Sequence, residues 1–146
     1  MRRRQLLLSG GAAVAIPLTA NGEEKAPLVG VLMATSEDDP ESMARFDAFQ
    51  QGLSKAGWSV GHNLQIETRW IAGDPGRGRS YAAELIALKP NLILANTALA
   101  LQPLKQLTQD IPIVFVLVYD PVTSGFVASL AHPGGNITGF TLGEFS

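Results

Sequence analysis

The sequence predicts an α/β protein built on a Rossmann-like parallel sheet with helices on both faces. Short apolar stretches alternate with amphipathic stretches of about ten residues, which is typical of β–α–β units. Several of the apolar stretches are almost continuous, as in strands that are covered on both sides. The chain has 146 residues, 46% hydrophobic and 16% charged, which fits one globular domain. We expect the strand order 2-1-3-4-5.

The first half of the folded region is expected to contain two strands and two helices. Residues 28–34 are nearly all apolar and predict a buried strand. Along residues 40–56, apolar side chains recur three or four positions apart and give a helix with one apolar face, which ends at Gly57. Residues 63–71 alternate between apolar and polar and predict a strand nearer the sheet edge. Residues 80–88 predict a second helix.

The second half continues the alternation of strands and helices. Three further strands are expected at residues 92–95, 113–118 and 137–141. A helix is expected over residues 98–108, with an interruption at Pro103. Proline is tolerated best in the first turn of a helix, so we expect Pro103 in such a turn. A short helix is expected over residues 122–130, before a turn rich in Pro and Gly.

The amino terminus has the pattern of an export signal. Three arginines at positions 2 to 4 precede an apolar run from Leu6 to Ala20, followed by charged residues. The run of about 15 residues is shorter than the roughly 20 needed to span a bilayer. We predict a signal peptide over residues 1–22, of the general secretory or twin-arginine type, with cleavage after Gly22 or after Ala20. A retained amphipathic or anchoring helix is the alternative.

Charge and composition exclude several classes of function. The net charge is −2, and without the three leading arginines 8 basic residues face 13 acidic ones. An acidic protein of this kind is not expected to bind nucleic acid. The absence of cysteine excludes disulfides, cysteine-bound zinc, thiol catalysis and a cysteine-linked lipid anchor. No cofactor is predicted.

Residues 73–80 have the spacing of a phosphate-binding loop and give the alternative hypothesis of a small nucleotide-binding α/β protein. Two residues argue against it. Arg79 stands where such loops carry a lysine, and its planar guanidinium does not replace a compact ammonium. Pro75 removes a backbone donor that the loop needs. We therefore favour a flexible Gly-rich turn at this place.

Signals for catalysis and for metal binding are weak. The folded region lacks the G-x-S-x-G pattern of serine hydrolases. His62 and His132 belong to no cluster of metal-ligating residues. The acidic residues 37–39 could bind a cation, but acids before a helix also stabilise its N-terminus. We therefore predict neither an enzyme nor a metal site.

The carboxyl ends of the expected strands carry the best candidate site, because ligands of open parallel sheets collect there. Three loops follow these ends: 35–36, 96–97 and 119–121. Tyr119 offers an aromatic wall beside the carboxylate of Asp120, which suits an amino-bearing solute. Asp120 could instead cap the helix expected after it. Both roles stay open at this point.

Several blocks in this order resemble the tryptophan/tyrosine-type family of ABC-transporter substrate-binding proteins. They are VGVL at 29–32, FQQGLSKAGW at 49–58, GHNLQIE at 61–67, IPIVF at 111–115, DPV at 120–122 and GFVASLAHPGGNITG at 125–139. The resemblance implies a type I periplasmic-binding-protein fold, in which two lobes close around a small solute. It implies a non-enzymatic periplasmic protein that delivers an amino acid or a related solute to a permease.

The resemblance also implies which residues bind the solute. Hydroxyls, backbone donors and helix N-termini would hold a carboxylate, and Asp120 would take an ammonium group. The implied ligand-binding residues are Thr35, Ser36, Asn96, Thr97, Ala98, Tyr119 and Asp120. Relatives usually have a more Gly-rich turn at 96–97, and this departure leaves the identity of the solute open.

The family is about twice as long as this chain. Residues 23–146 are therefore expected to form the N-terminal lobe alone, a fragment without the second lobe. A single lobe binds its solute weakly because one side stays open. The face left open would favour self-association.

Overall fold

A computed structural model describes residues 25–141, and the predicted signal segment 1–22 lies outside that range. The described part contains five strands and three helices that alternate as the sequence predicts. In chain order they are β1 (Leu28–Met33), α1 (Pro40–Lys55), β2 (Gln65–Trp70), α2 (Pro75–Ala87), β3 (Leu92–Asn96), α3 (Thr97–Leu107), β4 (Ile113–Val118) and β5 (Ile137–Thr141).

The five strands form one sheet in the order β2-β1-β3-β4-β5, and every neighbouring pair is parallel. The predicted strand order, the α/β class and the edge position of β2 are confirmed. After β2 the chain returns past β1 to place β3 on the other side. This reversal opens a crevice outside the carboxyl ends of β1 and β3, where such folds bind their ligands.

The core lies on both faces of the sheet. On one face α2 and α3 cover the sheet with buried aliphatic side chains such as Leu85 and Leu104, which join Phe115 of β4 in one cluster. On the other face Phe46 and Phe49 of α1 contact a smaller cluster of residues from β1 and β3. Side chains that alternate along the strands are therefore buried on both faces, under α2 and α3 on one side and under α1 on the other.

Helix α2 begins earlier than predicted and takes up most of the expected Gly-rich turn. The side chain of Asp74 accepts hydrogen bonds from the backbone N–H groups of Gly76 (2.9 Å) and Arg77 (3.4 Å), and Pro75 occupies the first turn. An Asp cap followed by Pro is a strong helix start. The prediction of a flexible turn over residues 73–80 was wrong, because this start signal outweighs the glycines.

Two other local predictions were wrong. Pro103 lies in the middle of α3, where it is buried, and not in the first turn. Residues 122–130 form turns and not a helix. Gly125 adopts a left-handed conformation with φ +81°, which a helix excludes. The carbonyl of Pro121 instead accepts the N–H groups of Phe126 (2.8 Å) and Val127 (3.3 Å), whose buried side chains anchor the segment.

Candidate functional site

The seven predicted ligand-binding residues all lie at the carboxyl edge of the sheet. Thr35 and Ser36 follow β1, and Tyr119 and Asp120 follow β4. Asn96 ends β3, and its register partners are Met33 of β1 and Val116 of β4. Thr97 and Ala98 begin α3, whose N-terminus therefore opens at the same edge. Three neighbouring strands thus bring these residues to one edge of the sheet.

Thr35 is held in place by a residue that sequence reasoning missed. Its hydroxyl donates a hydrogen bond to Oγ of Ser42 (2.6 Å), a side chain that is only 1% exposed in the first turn of α1. The backbone N–H of Ser42 donates to the carboxylate of Asp39 (2.8 Å), the N-cap of the helix. The role of Ser42 depends on its burial, for which the sequence carries no signal.

Of the acidic residues 37–39, Asp39 stabilises the start of α1 as its N-cap. The hydroxyl and the N–H of Ser42 lower the pKa of the Asp39 carboxyl, and Arg45 lowers it further. Asp38 accepts a hydrogen bond from the hydroxyl of Ser36 (2.6 Å). Within residues 25–141, no three His, Cys, Asp or Glu side chains come together in a group that could hold a metal ion.

Asn96 is the buried polar residue at the centre of the edge. Its side chain is 5% exposed, and it makes no hydrogen bond to the other residues that the structure describes. It lies on the wall of an apolar cleft of about 450 Å³ that Phe46 and Leu94 also line. A buried amide without a partner costs about 1–3 kcal/mol, so a group that pairs with it would be bound favourably.

The backbone is strained at two of the predicted positions. Thr97 has φ +71° and Asp120 has φ +40°, values in the left-handed region that β-branched residues in particular avoid. Such strain costs of the order of 1–3 kcal/mol per residue and collects at functional sites. Ala72, Lys89 and Leu117 share this conformation, and Lys89 lies away from the carboxyl edge.

Tyr119 and Asp120 differ in how firmly they are held. The Tyr119 side chain is 69% exposed. One carboxylate oxygen of Asp120 accepts the N–H of Thr123 (3.1 Å), so the residue caps a turn, not the helix we expected. Its other oxygen has no hydrogen bond to the described residues. The capping role and a role towards a ligand are therefore compatible.

The alternative of a nucleotide-binding loop has no structural counterpart. Gly76 and Gly78 lie inside α2, and the first free N–H groups of that helix point to Asp74. Arg79 donates a hydrogen bond to Oε1 of Gln106 (3.0 Å) on α3. The segment thus offers no cradle of open backbone donors, which such a loop requires.

None of the helices in residues 25–141 is long and apolar enough to cross a membrane.

The profile of the ABC transporter substrate binding protein family matches residues 29–144, which is most of the chain. The chain belongs to this family. The family assignment confirms the resemblance carried by the sequence blocks.

Known members of the substrate-binding family are similar in sequence and fold. The tyrosine-binding protein of Clostridioides difficile (strain R20291) is 35% identical over 91 residues, 62% of this chain and 26% of its own length. A domain from Streptococcus pneumonia solved in complex with L-Trp has a TM-score of 0.74 at 26% identity. It is matched over 80% of this chain and 39% of the domain.

A ligand-free, open substrate-binding protein with adhesive properties from Clostridium difficile has a TM-score of 0.72 at 30% identity, over 78% of this chain and 38% of that one. This chain therefore spans about a quarter of the curated relative and about two fifths of the solved structures.

Proposed function

We propose that the protein is the solute-binding component of an ABC transporter and captures a small solute outside the cytoplasmic membrane, without catalysing a reaction. The solute class that we favour is an amino acid with an aromatic side chain. The observation that carries the proposal is the strained carboxyl edge, with the buried amide of Asn96, in a chain of the substrate-binding family. A tyrosine-binding relative and a relative with bound L-Trp support the aromatic class.

In this proposal each group at the edge has a separate task. The solute carboxylate lies over the N-terminus of α3, where the N–H groups and the helix dipole favour an anion, beside Thr97 and Ala98. The hydroxyls of Thr35 and Ser36 line the same crevice. Asp120 takes the ammonium group, and Tyr119 contacts the ring. The predicted signal segment brings the protein to the periplasm, where a permease is the partner.

The charge of Asp120 is the most direct test of this arrangement. Asp120→Asn keeps the shape of the side chain, and Asn tolerates the left-handed φ of this position. We expect the affinity for L-tyrosine or L-tryptophan to fall roughly tenfold to a hundredfold, because a charge-assisted hydrogen bond contributes about 1.5–3 kcal/mol. Calorimetric titration measures it. Asp110→Asn, an exposed carboxylate before β4, is the control. Equal affinities for all three proteins would contradict the assignment.

The protein is also proposed to self-associate. The apolar cleft is lined by Val116 of β4, whose register partner on β5 is Phe140, a side chain that is 71% exposed. Light scattering at rising concentration should show dimers, and Phe140→Ser should reduce them. A sharp monomer throughout the concentration series would refute this part.

A further inference from the structure

A second cleft, of about 400 Å³, lies beside the edge strand β2, between its carboxyl end and the first turns of α2. The residues that line it include two arginines, Arg69 and Arg77, together with Glu37 and Ser36. Trp70 and Tyr81 also line it. Neither arginine nor either aromatic residue is among the seven residues of the proposed solute site.

Arg69 is fixed in orientation by two carboxylates. Its Nε donates to Glu84 (2.9 Å) and its Nη1 donates to Glu67 (2.8 Å). These two contacts raise the pKa of the guanidinium, Glu67 the more strongly. Its Nη2 has no acceptor among the residues that the structure describes. Arg69 is therefore an ordered donor with one side left open.

Arg77 is an exposed cation at the start of α2 whose side chain has no hydrogen-bond partner among the described residues. It stands in the first turn of α2, where the helix dipole favours anions and where the carboxylate of the N-cap Asp74 is already bound by backbone N–H groups. The side chain is exposed and makes no hydrogen bond or ion pair with residues 25–141. The other cation of the cleft, Arg69, already has Glu67 and Glu84 as partners. A carboxylate in the cleft would give Arg77 the partner that it lacks among these residues.

We propose that this cleft binds a small molecule that carries a carboxylate, with Arg77 as its principal anchor. The planar guanidinium matches a carboxylate in a two-pronged geometry, and Nη2 of Arg69 is a further donor. Tyr81, which packs on the α2 side of the sheet, contacts the apolar part of the molecule. The ring of Trp70 packs on the other side against Phe46 of α1, with ring centroids 5.8 Å apart, and Trp70 borders the cleft from there. Ser36 lines this cleft and belongs to the proposed solute site as well, whereas the anchor Arg77 is not among the residues of the solute site.

Glu37 sets a limit on the affinity. It is exposed and forms no ion pair with either arginine in the structure, so it leaves Arg77 available, but its charge repels an entering anion. Glu37→Gln is therefore expected to strengthen carboxylate binding. The opposite effect would mean that Glu37 organises the cleft.

The test uses Trp70 as the reporter. The chain has two tryptophans, so Trp58→Phe leaves Trp70 as the single one. In this background, phenylacetate should change the fluorescence in a saturable way, while phenethylamine, a cation of similar shape, should not. Arg77→Gln should weaken the apparent affinity for phenylacetate roughly tenfold or more. Arg79→Gln is the matched control, because Arg79 lies two positions away, contacts Gln106 and lines another cleft.

Each outcome decides the proposal. Saturable binding that is lost in Arg77→Gln and kept in Arg79→Gln supports it. No response to phenylacetate, an equal response to phenethylamine, or equal affinities for the two arginine variants would overturn it. Circular dichroism melting shows that the variants are folded. Because the probe carries no amino group, a failure here leaves the proposed binding of amino acids unaffected.

Discussion

Gly139→Ala should destabilise the fold by about 3 kcal/mol or more. Gly139 of β5 is paired with Phe115 of β4, and an added Cβ would overlap the Phe115 carbonyl oxygen and lie 2.6 Å from its Cγ. The overlap with a backbone atom cannot be removed by a change of rotamer, so β5 would have to move away from β4. Overpacking of this kind costs about 1–3 kcal/mol, and more when the backbone must shift.

Urea unfolding followed by circular dichroism measures this loss as a lower midpoint. Gly135→Ala is the matched control, because a Cβ at Gly135 meets nothing within 4 Å and its φ is not left-handed. That variant should stay within about 0.5 kcal/mol of the wild type. Equal midpoints for the two variants would show that the pairing of β4 with β5 is not as described.

Thr97→Gly should have opposite effects on stability and on solute binding. Glycine adopts φ +71° without steric cost, whereas the β-branched Thr97 is strained there. After subtraction of the entropic cost of glycine, we expect a gain of about 1 kcal/mol in stability. If the hydroxyl contacts the solute, the affinity should fall by up to about tenfold, since one neutral hydrogen bond contributes about 0.5–1.5 kcal/mol.

Lys89→Gly separates the two effects. Lys89 has a similar left-handed φ of +54°, is exposed, and follows α2 away from the carboxyl edge. The Lys89→Gly protein should be more stable than the wild type and should bind the solute with unchanged affinity. Thermal melting and calorimetric titration of both variants give the comparison. A Thr97→Gly protein that is less stable than the wild type, or binds equally well, would contradict the functional interpretation of the strain.

The sheet could be predicted from sequence because its signals are local and agree with one another. The apolar run at 113–118 gave β4 with the bounds that the structure shows, and the alternation along 63–71 placed β2 at an edge. The helix starts were harder. Asp74 and Pro75 form a strong helix start, but the glycines at 76 and 78 are typical of a turn and hid this signal in the sequence.

The candidate site could be located from sequence but not described. Parallel strands bring their carboxyl ends together, so the seven positions were bound to share one edge once the strand order was right. The left-handed φ of Thr97 and Asp120 follows from tertiary packing and leaves no sign in residue type. The same is true of Ser42, whose burial depends on the packing of α1 against β1. The position of Arg77 in the first turn of α2 could not be predicted, because residues 73–80 were expected to form a turn.

The measurement that tests the central claim most directly is a thermal-shift series on the purified chain with each of the common amino acids. We expect aromatic amino acids to raise the melting temperature reproducibly and with saturation, because a ligand of the folded state stabilises it by mass action. We also expect Asp120→Asn to reduce this rise. A chain that melts cooperatively and shows no shift with any amino acid would contradict a solute site at this edge.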